Sequence, residues 1–225
     1  MCGRFSSSSK PEQIKKEFKA AVEDPAILAP RYNIAPTQMI PVVLNREGER
    51  IVAALKWGLV PSWAKDAAIG SRMINARAET LTEKPSFREA YKSRRCIVPA
   101  TGFYEWQRAE KGAKQPFYFY LTNKEVFGFA GLWEEWLDKE SGESLETCTI
   151  ITTEANDVLK PVHDRMPVIL KAGDYDEWLD PKESDTGKLQ KLLAPYPPDE
   201  MNSHAVSRAV NSPTLDSPEL ILNSK

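Results

Sequence analysis

The chain has 225 residues, enough for one domain with a sizeable buried core. Hydrophobic residues make up 41% and charged residues 28% of the sequence, which is typical of a globular protein in water. The formal net charge of −2 excludes a nucleic-acid binder that relies on overall positive charge, so any site for a polyanion must be a local patch.

The N-terminal part predicts one helix and one hairpin. Ser9-Lys10-Pro11-Glu12 fits a capping box, and Ile14, Phe18 and Val22 follow at the four-residue spacing of an amphipathic helix. Residues 31–37 are interpreted as a polar, aromatic loop. Strand-like runs then cover residues 39–44 and 50–57, with turn residues 45–48 between them.

Short strands dominate the rest of the chain. Ser86 and Glu89 form a second capping box, which predicts a short helix near residues 87–91. Strands are predicted at residues 95–99, 103–107, 116–121, 126–132, 147–152 and 166–170, with turn residues such as Glu110-Lys111-Gly112 between them. Late helices are predicted at residues 172–179 and 186–193, and the polar tail after Val210 is expected on the surface. This pattern favours one α+β domain over residues 1–225, with a curled, barrel-like antiparallel sheet and peripheral helices.

Cys2 is the residue with the most distinctive chemistry. If Met1 is removed, Cys2 carries a free α-amine and a thiol on adjacent carbons. The amine has an ordinary pKa of about 7.7–8.0, so part of it is nucleophilic at neutral pH, and the thiolate is a stronger nucleophile still. With an aldehyde, such a pair forms an imine and then a thiazolidine ring. The alternative is a cysteine that stands at position 2 without a chemical role.

Three further segments carry candidate functional groups. Glu105 lies among aromatic residues on a predicted strand, where burial would suit it to acid–base work, although an exposed strand carboxylate is the simpler interpretation. His163 lies in a polar loop with Asp164 and Arg165. Arg77, in the run from Asn75 to Glu79, has the chemistry to hold a phosphate, or belongs to a surface charge cluster.

The aromatic loop from Trp57 to Trp63 has two interpretations. Tryptophans beside cations such as Lys65 and Arg72 suit stacking with unpaired bases. Core packing is the usual explanation, and it applies best to Trp57.

The cysteines and histidines do not predict a metal or a disulfide. Cys2, Cys96 and Cys148 are odd in number and far apart, which indicates a reducing compartment, and with His163 and His204 they show no metal-ligand spacing. No phosphate-binding glycine loop is present either, so no metal and no cofactor are expected. The N-terminus shows no secretory signal, and no run reaches the ~18 apolar residues of a membrane span.

Taken together, the motifs resemble the SOS response-associated peptidase (SRAP) family, whose members shield abasic sites in single-stranded DNA. The matching stretches follow the family's order over nearly the whole chain. They include Met1-Cys2-Gly3-Arg4-Phe5, Arg31-Tyr32-Asn33-Ile34-Ala35-Pro36, Lys56-Trp57-Gly58-Leu59-Val60-Pro61-Ser62-Trp63, Ile74-Asn75-Ala76-Arg77-Ala78-Glu79-Thr80, Gly102-Phe103-Tyr104-Glu105-Trp106, His163-Asp164-Arg165-Met166-Pro167 and His204-Ala205-Val206-Ser207.

The resemblance implies a fold, a reaction and a set of site residues. It implies a covalent crosslink between Cys2 and an abasic site after Met1 is removed, with self-directed peptidase activity, and Cys2, Asn75, Glu105 and His163 as catalytic residues. It implies a groove for single-stranded DNA, and fork or junction DNA as further substrates. The residues assigned to this groove are Arg4, Asn33, Pro36, Trp63, Arg72, Arg77, Arg165 and Arg208. The protein is expected to be a monomer, located at the bacterial nucleoid in the cytoplasm or in a eukaryotic nucleus.

Two other functions are compatible with parts of the sequence. Glutamine amidotransferase domains also begin with Met-Cys-Gly and use the thiol as an acyl nucleophile, but their Asn-Gly oxyanion motif has no counterpart at Asn75-Ala76-Arg77. The other alternative is a single-stranded DNA-binding module without a covalent step.

Overall fold

The computed structural model describes residues 2–107 and 112–224. The turn predicted at residues 110–112 therefore lies largely outside the described residues, as does Met1. The strands are β1 (Phe5–Ser7), β2 (Ala21–Val22), β3 (Arg31–Ile34), β4 (Met39–Arg46), β5 (Glu49–Trp57), β6 (Asn75–Arg77), β7 (Arg95–Ala100), β8 (Gly102–Gln107), β9 (Gln115–Leu121), β10 (Phe127–Leu137), β11 (Ser144–Glu154), β12 (Arg165–Pro167), β13 (Ile169–Leu170) and β14 (Met201–Ala205). The α-helices are α1 (Pro11–Phe18), α2 (Arg88–Ser93), α3 (Tyr175–Leu179) and α4 (Thr186–Lys191).

Five strands close into a barrel. β5, β4, β7, β10 and β11 pair in that order, and β11 returns to β5 through a short parallel contact at Lys56–Thr147 and Trp57–Cys148. The predicted curled, barrel-like sheet in an α+β fold is thus confirmed. β6 and β12 extend the barrel along β11, and β6 runs parallel to it.

A second sheet packs on the barrel and carries the N-terminus. It has the order β14-β9-β8-β1-β3, and its neighbouring strands are antiparallel. Aromatic side chains join the two sheets. The ring centroids of Phe5 and Trp57 are 5.2 Å apart, those of Phe103 and Phe129 are 5.9 Å apart, and both pairs meet edge to face. These contacts fix the start of the chain against the end of the barrel.

The β4–β5 hairpin forms where the turn residues predicted it. Glu47 and Gly48 both have positive φ, 55° and 90°, and Asn45 Oδ1 accepts a hydrogen bond from the Gly48 N–H. Such a two-residue turn matches the right-handed twist of the flanking strands.

Both predicted capping boxes are wrong. The helix α1 begins one residue later than the Ser9 box requires, because the Gln13 side chain accepts the Lys10 N–H. It ends at Phe18, where Lys19 adopts a left-handed conformation, and Val22 belongs to β2. Phe87, not Ser86, precedes the first residue of α2.

Other differences concern short strands. The predicted loop at residues 31–37 contains β3, and β1, β6 and β14 were not predicted, since each is too short or too polar to show alternation. Within the described residues, no helix is long and apolar enough to cross a bilayer.

Candidate active site

Cys2 lies buried where β1 meets β8. Phe5 pairs with Phe103, and Tyr104 donates its backbone N–H to the Arg4 carbonyl at 3.0 Å, so the antiparallel pairing continues toward the N-terminus. Cys2 has no exposed surface. Burial raises the pKa of its thiol, and the charge of Glu105 raises it further. The thiol is therefore protonated at neutral pH, and a base would have to remove its proton before the sulfur could act as a nucleophile.

Glu105 is the group placed to exchange protons near neutral pH. Alternation along β8 turns Glu105 to the same side as the core residue Phe103, and the whole residue is only 3% exposed. Burial raises the pKa of Glu105 to about 7, and repulsion by Asp164 acts in the same direction. A carboxyl group with this pKa both gives and takes protons at physiological pH.

Asn75 connects the barrel to the N-terminal segment. β6 places it beside Ile150 of β11, and its side-chain amide donates to the Cys2 carbonyl at 3.0 Å and to the Ile74 carbonyl at 2.7 Å. The Asn75 Oδ1 atom is buried and accepts no hydrogen bond from the described residues. Asn75 thus fixes Cys2 and retains an acceptor beside it.

His163 ends a helical turn that precedes β12. Its backbone N–H donates to the Leu159 carbonyl. Its imidazole Nδ1 lies 3.0 Å from the backbone N of Arg165, 3.0 Å from Asp164 Oδ1 and 3.2 Å from the Arg165 carbonyl oxygen. A neutral ring that accepts the Arg165 N–H on Nδ1 carries its hydrogen on Nε2. His163 and Gln107 line a surface depression of about 300 Å³ at the end of β8.

The predicted DNA-contacting arginines differ in their surroundings. Arg72 is exposed three residues before β6, and Arg77 is exposed as the last residue of β6. Arg208 is also exposed and donates to the Ala113 carbonyl. Arg165 is mostly covered, because Glu79 binds both terminal nitrogens of its guanidinium.

Asn33 and Arg4 form an internal network. Asn33 has no exposed surface, and its amide donates to the carbonyls of Val210, Ser212 and Leu215. Arg4 donates to Asn33 Oδ1 at 2.8 Å and to the Val210 carbonyl at 2.7 Å. These contacts tie the C-terminal segment to the N-terminal strand, and they leave the Asn33 side chain no surface for direct contact with DNA.

The two tryptophans of the aromatic loop have different environments. Trp57 is fully buried and donates its indole N–H to the Ile74 carbonyl. Trp63 is 58% exposed and borders a cavity of about 460 Å³ with Trp136 and Leu137. Pro36 is half-buried and precedes Thr37, which has a φ of 71°. An exposed indole and a rigid turn are compatible with base stacking.

Two residues that sequence reasoning did not assign also lie at the site. Thr152 of β11 pairs with Arg77 and Pro167, and its carbonyl accepts from Arg165 at 2.6 Å. Glu79 holds Arg165. The position of Glu79 in the same motif as Asn75 and Arg77 was the available signal, but its partner lies 86 residues away in sequence.

Comparisons with known proteins show the family to which the chain is similar. The model of the SOS response associated peptidase (SRAP) family matches residues 1–213. The abasic site processing protein YoqW of Bacillus subtilis is 49% identical over 222 residues, covering 98% of this chain and 99% of that protein. The abasic site processing protein HMCES of Xenopus tropicalis is 30% identical, covering 97% of this chain and 77% of that protein. A crystal structure of a protein from Bacteroides thetaiotaomicron superposes with a TM-score of 0.89 at 30% identity, over the whole of both chains.

Proposed function

The chain belongs to the SOS response-associated peptidase family, and we propose that it processes abasic sites in single-stranded DNA by forming a covalent crosslink through Cys2. Its relatives from Bacillus subtilis and Xenopus tropicalis are named abasic site processing proteins. The observation that carries the proposal is the contact of Cys2 with Asn75, beside a glutamate whose pKa is raised toward neutrality.

The proposed reaction needs a free Cys2 amine. Removal of Met1, which lies outside the described residues, supplies it by hydrolysis of the first peptide bond with one water. The new amine adds to the aldehyde carbon of a ring-opened abasic deoxyribose and gives a carbinolamine. Loss of water from the carbinolamine gives an imine.

The Cys2 thiol then closes the ring. Its sulfur adds to the imine carbon, its proton passes to the imine nitrogen, and a thiazolidine results with no net change in charge. The whole condensation releases one water. Glu105 is suited to accept the thiol proton and to protonate the departing hydroxyl, because its pKa of about 7 allows both states. His163 is the second proton carrier.

The depth of the site supports single-stranded DNA as the partner. Cys2 is fully buried, so an abasic sugar must leave a base stack to reach it. Single strands and fork or junction DNA offer that freedom, and Arg72 and Arg77 are exposed for the backbone phosphates. We propose that the protein acts as a monomer. We also propose that it is located at the bacterial nucleoid or, in a eukaryote, in the nucleus.

Intact-mass measurement of the purified protein, alone and after incubation with abasic single-stranded DNA, tests the proposal. We expect a free protein without Met1 and an adduct equal to protein plus DNA less one water. Cys2→Ser should give only a species trapped by borohydride. Cys96→Ala, which removes another fully buried thiol, is the matched control and should still form the adduct.

Three results would contradict the proposal. A heat-stable adduct of Cys2→Ser without borohydride places the nucleophile elsewhere. Retention of Met1 in protein that forms the adduct removes the thiazolidine step. Release of ammonia from glutamine without adduct formation identifies an amidohydrolase instead.

A further inference from the structure

Arg165 is one of the residues that the family resemblance assigns to the DNA groove. Its guanidinium, however, is held from two sides by other protein groups. Its Nη1 and Nη2 atoms donate to Glu79 Oε1 at 2.6 Å and Oε2 at 3.0 Å, and Nη2 also donates to the Thr152 carbonyl at 2.6 Å. A two-pronged contact with a carboxylate fixes both the position and the plane of a guanidinium. These hydrogen bonds also hold the pKa of Glu79 below its ordinary value, so its carboxylate stays charged.

The backbone of the same arginine controls the imidazole of His163. The Arg165 N–H donates to His163 Nδ1 at 3.0 Å. Arg165 is the first residue of β12, a strand of three residues, so backbone pairing alone anchors it weakly. Its side-chain contacts with Glu79 and Thr152 are the additional anchor.

A competing arrangement lies within reach of the same imidazole. Two acceptors face Nδ1: Asp164 Oδ1 at 3.0 Å and, farther away, the Arg165 carbonyl oxygen at 3.2 Å. The Asp164 side chain is 84% exposed and free to follow the ring. With the Arg165 N–H in place, neutral His163 accepts on Nδ1 and carries its hydrogen on Nε2. If that N–H turns away, Nδ1 can carry the hydrogen and donate it to Asp164, and Nε2 becomes an acceptor.

We propose that Glu79 is a positioning residue that keeps His163 in the Nε2–H tautomer by holding Arg165. The chemical consequence, that Nε2 presents a donor to the reacting centre, rests on the proposed crosslinking function. The structural claim does not depend on it. The Glu79 side chain itself is 45% exposed and acts only through Arg165.

Long-range ¹H–¹⁵N spectra of the imidazole nitrogens test the claim directly. The chain has two histidines, so His204→Gln identifies the His163 signals. When His163 is neutral in the wild-type protein, we expect the shifts of a single Nε2–H tautomer. In Glu79→Ala, they should move toward a mixture with Nδ1–H. Glu79→Gln keeps one acceptor and the shape of the side chain, so it should give a smaller change in the same direction. It replaces Glu79→Ala as the test if the alanine variant does not fold.

Glu146→Ala is the matched control. Glu146 accepts from Arg46 at 2.6 Å, as Glu79 does from Arg165, but it belongs to another ion pair. Its removal should leave the His163 shifts unchanged. Equal shifts in wild-type, Glu79→Gln and folded Glu79→Ala protein would overturn the proposal, as would the same change in Glu146→Ala.

Crosslinking kinetics separate this inference from the proposed function. With saturating abasic single-stranded DNA, so that a change in affinity does not enter the rate, Glu79→Ala should slow single-turnover adduct formation about tenfold, less than the ~10²–10⁴-fold expected for loss of an acid–base group itself. If the wild-type protein forms no adduct but the tautomer still changes in Glu79→Ala, the proposed function fails and the positioning role stands. If the adduct forms equally fast in both proteins and the tautomer is unchanged, the positioning role fails alone.

Discussion

The side-chain amide of Asn75 donates a hydrogen bond of 3.0 Å to the backbone carbonyl of Cys2. Asn75 belongs to a strand added to the barrel, whereas Cys2 leads into the second sheet. One hydrogen bond therefore spans the junction of the two sheets at the N-terminus. Because the proposed chemistry uses the amine and the thiol of the same residue, the orientation of its backbone determines where both nucleophiles point.

Replacing Asn75 by Asp should slow crosslinking. The substitution keeps the shape but replaces the amide donor by a carboxylate, which repels the Cys2 carbonyl. Loss of one such hydrogen bond is worth about 0.5–1.5 kcal/mol, so we expect a single-turnover rate about two- to tenfold lower on a denaturing gel. Asn202→Asp makes the same change at an exposed position of β14 and should have no effect. An unchanged rate in Asn75→Asp would show that the contact does not orient Cys2.

Glu105→Gln should separate chemistry from binding. The amide keeps the size and polarity of the carboxyl group but cannot exchange protons. General acid–base groups typically contribute ~10²–10⁴-fold, so formation or reversal of the adduct should slow by about 10²-fold or more. Affinity for intact single-stranded DNA, measured by fluorescence anisotropy, should not fall, because the substitution removes no positive charge. A parallel loss of affinity and rate would assign Glu105 to DNA binding.

The same substitution should change how stability depends on pH. Burial raises the pKa of Glu105 from 4.5 to about 7, so the folded protein holds this proton more tightly than the unfolded chain does. The resulting stabilisation is fully present below about pH 4.5 and is lost as the pH rises through about 7. The difference between these values corresponds to roughly 3 kcal/mol.

Glu105→Gln lacks this titration. The wild type loses stability as the pH rises through this range, and the variant does not. The unfolding free energy of the variant relative to the wild type should therefore rise by up to roughly 3 kcal/mol from about pH 4.5 to pH 8. Urea unfolding of both proteins across this range provides the measurement. Glu134→Gln, which alters a buried glutamate paired with Arg94, is the control and should not reproduce the gain. Parallel pH profiles for wild-type and Glu105→Gln protein would contradict the raised pKa.

The sequence predicted the strand-rich fold better than it predicted the details of the site. Alternating apolar residues indicated the barrel strands, because a half-buried strand repeats every two residues. β6 has only three residues and pairs with β11 about 75 positions later, so local pattern could not reveal that it carries Asn75 to Cys2. Asn33 illustrates the same limit, since the carbonyls that accept from its side-chain amide lie more than 170 residues away. A motif names the residue, but only the fold shows whether its side chain faces solvent.

Reversing the charge at Arg77 should weaken DNA binding without regard to base sequence. Arg77 is exposed beside β11. Each phosphate contact to a single strand contributes about −0.7 to the slope of log affinity against log salt, so Arg77→Glu should flatten that slope by at least about this amount. Arg88→Glu makes the same change of charge on α2 and should leave the slope unchanged. Identical slopes in wild-type and Arg77→Glu protein would exclude Arg77 from the DNA groove.

Asn33→Ala should destabilise the protein rather than reduce its affinity for phosphates. The Asn33 side chain has no exposed surface; it donates to three carbonyls of the C-terminal segment and accepts from Arg4. Its removal leaves these buried groups without their partner, at a cost of about 1–3 kcal/mol, measurable by urea unfolding. The salt slope for intact single-stranded DNA should stay at the wild-type value, because no phosphate contact is lost. Asn202→Ala, at an exposed position, should change neither quantity. A flatter salt slope with unchanged stability would restore Asn33 to the DNA-contacting set, and it would mean that the C-terminal segment moves away from β3 when DNA binds.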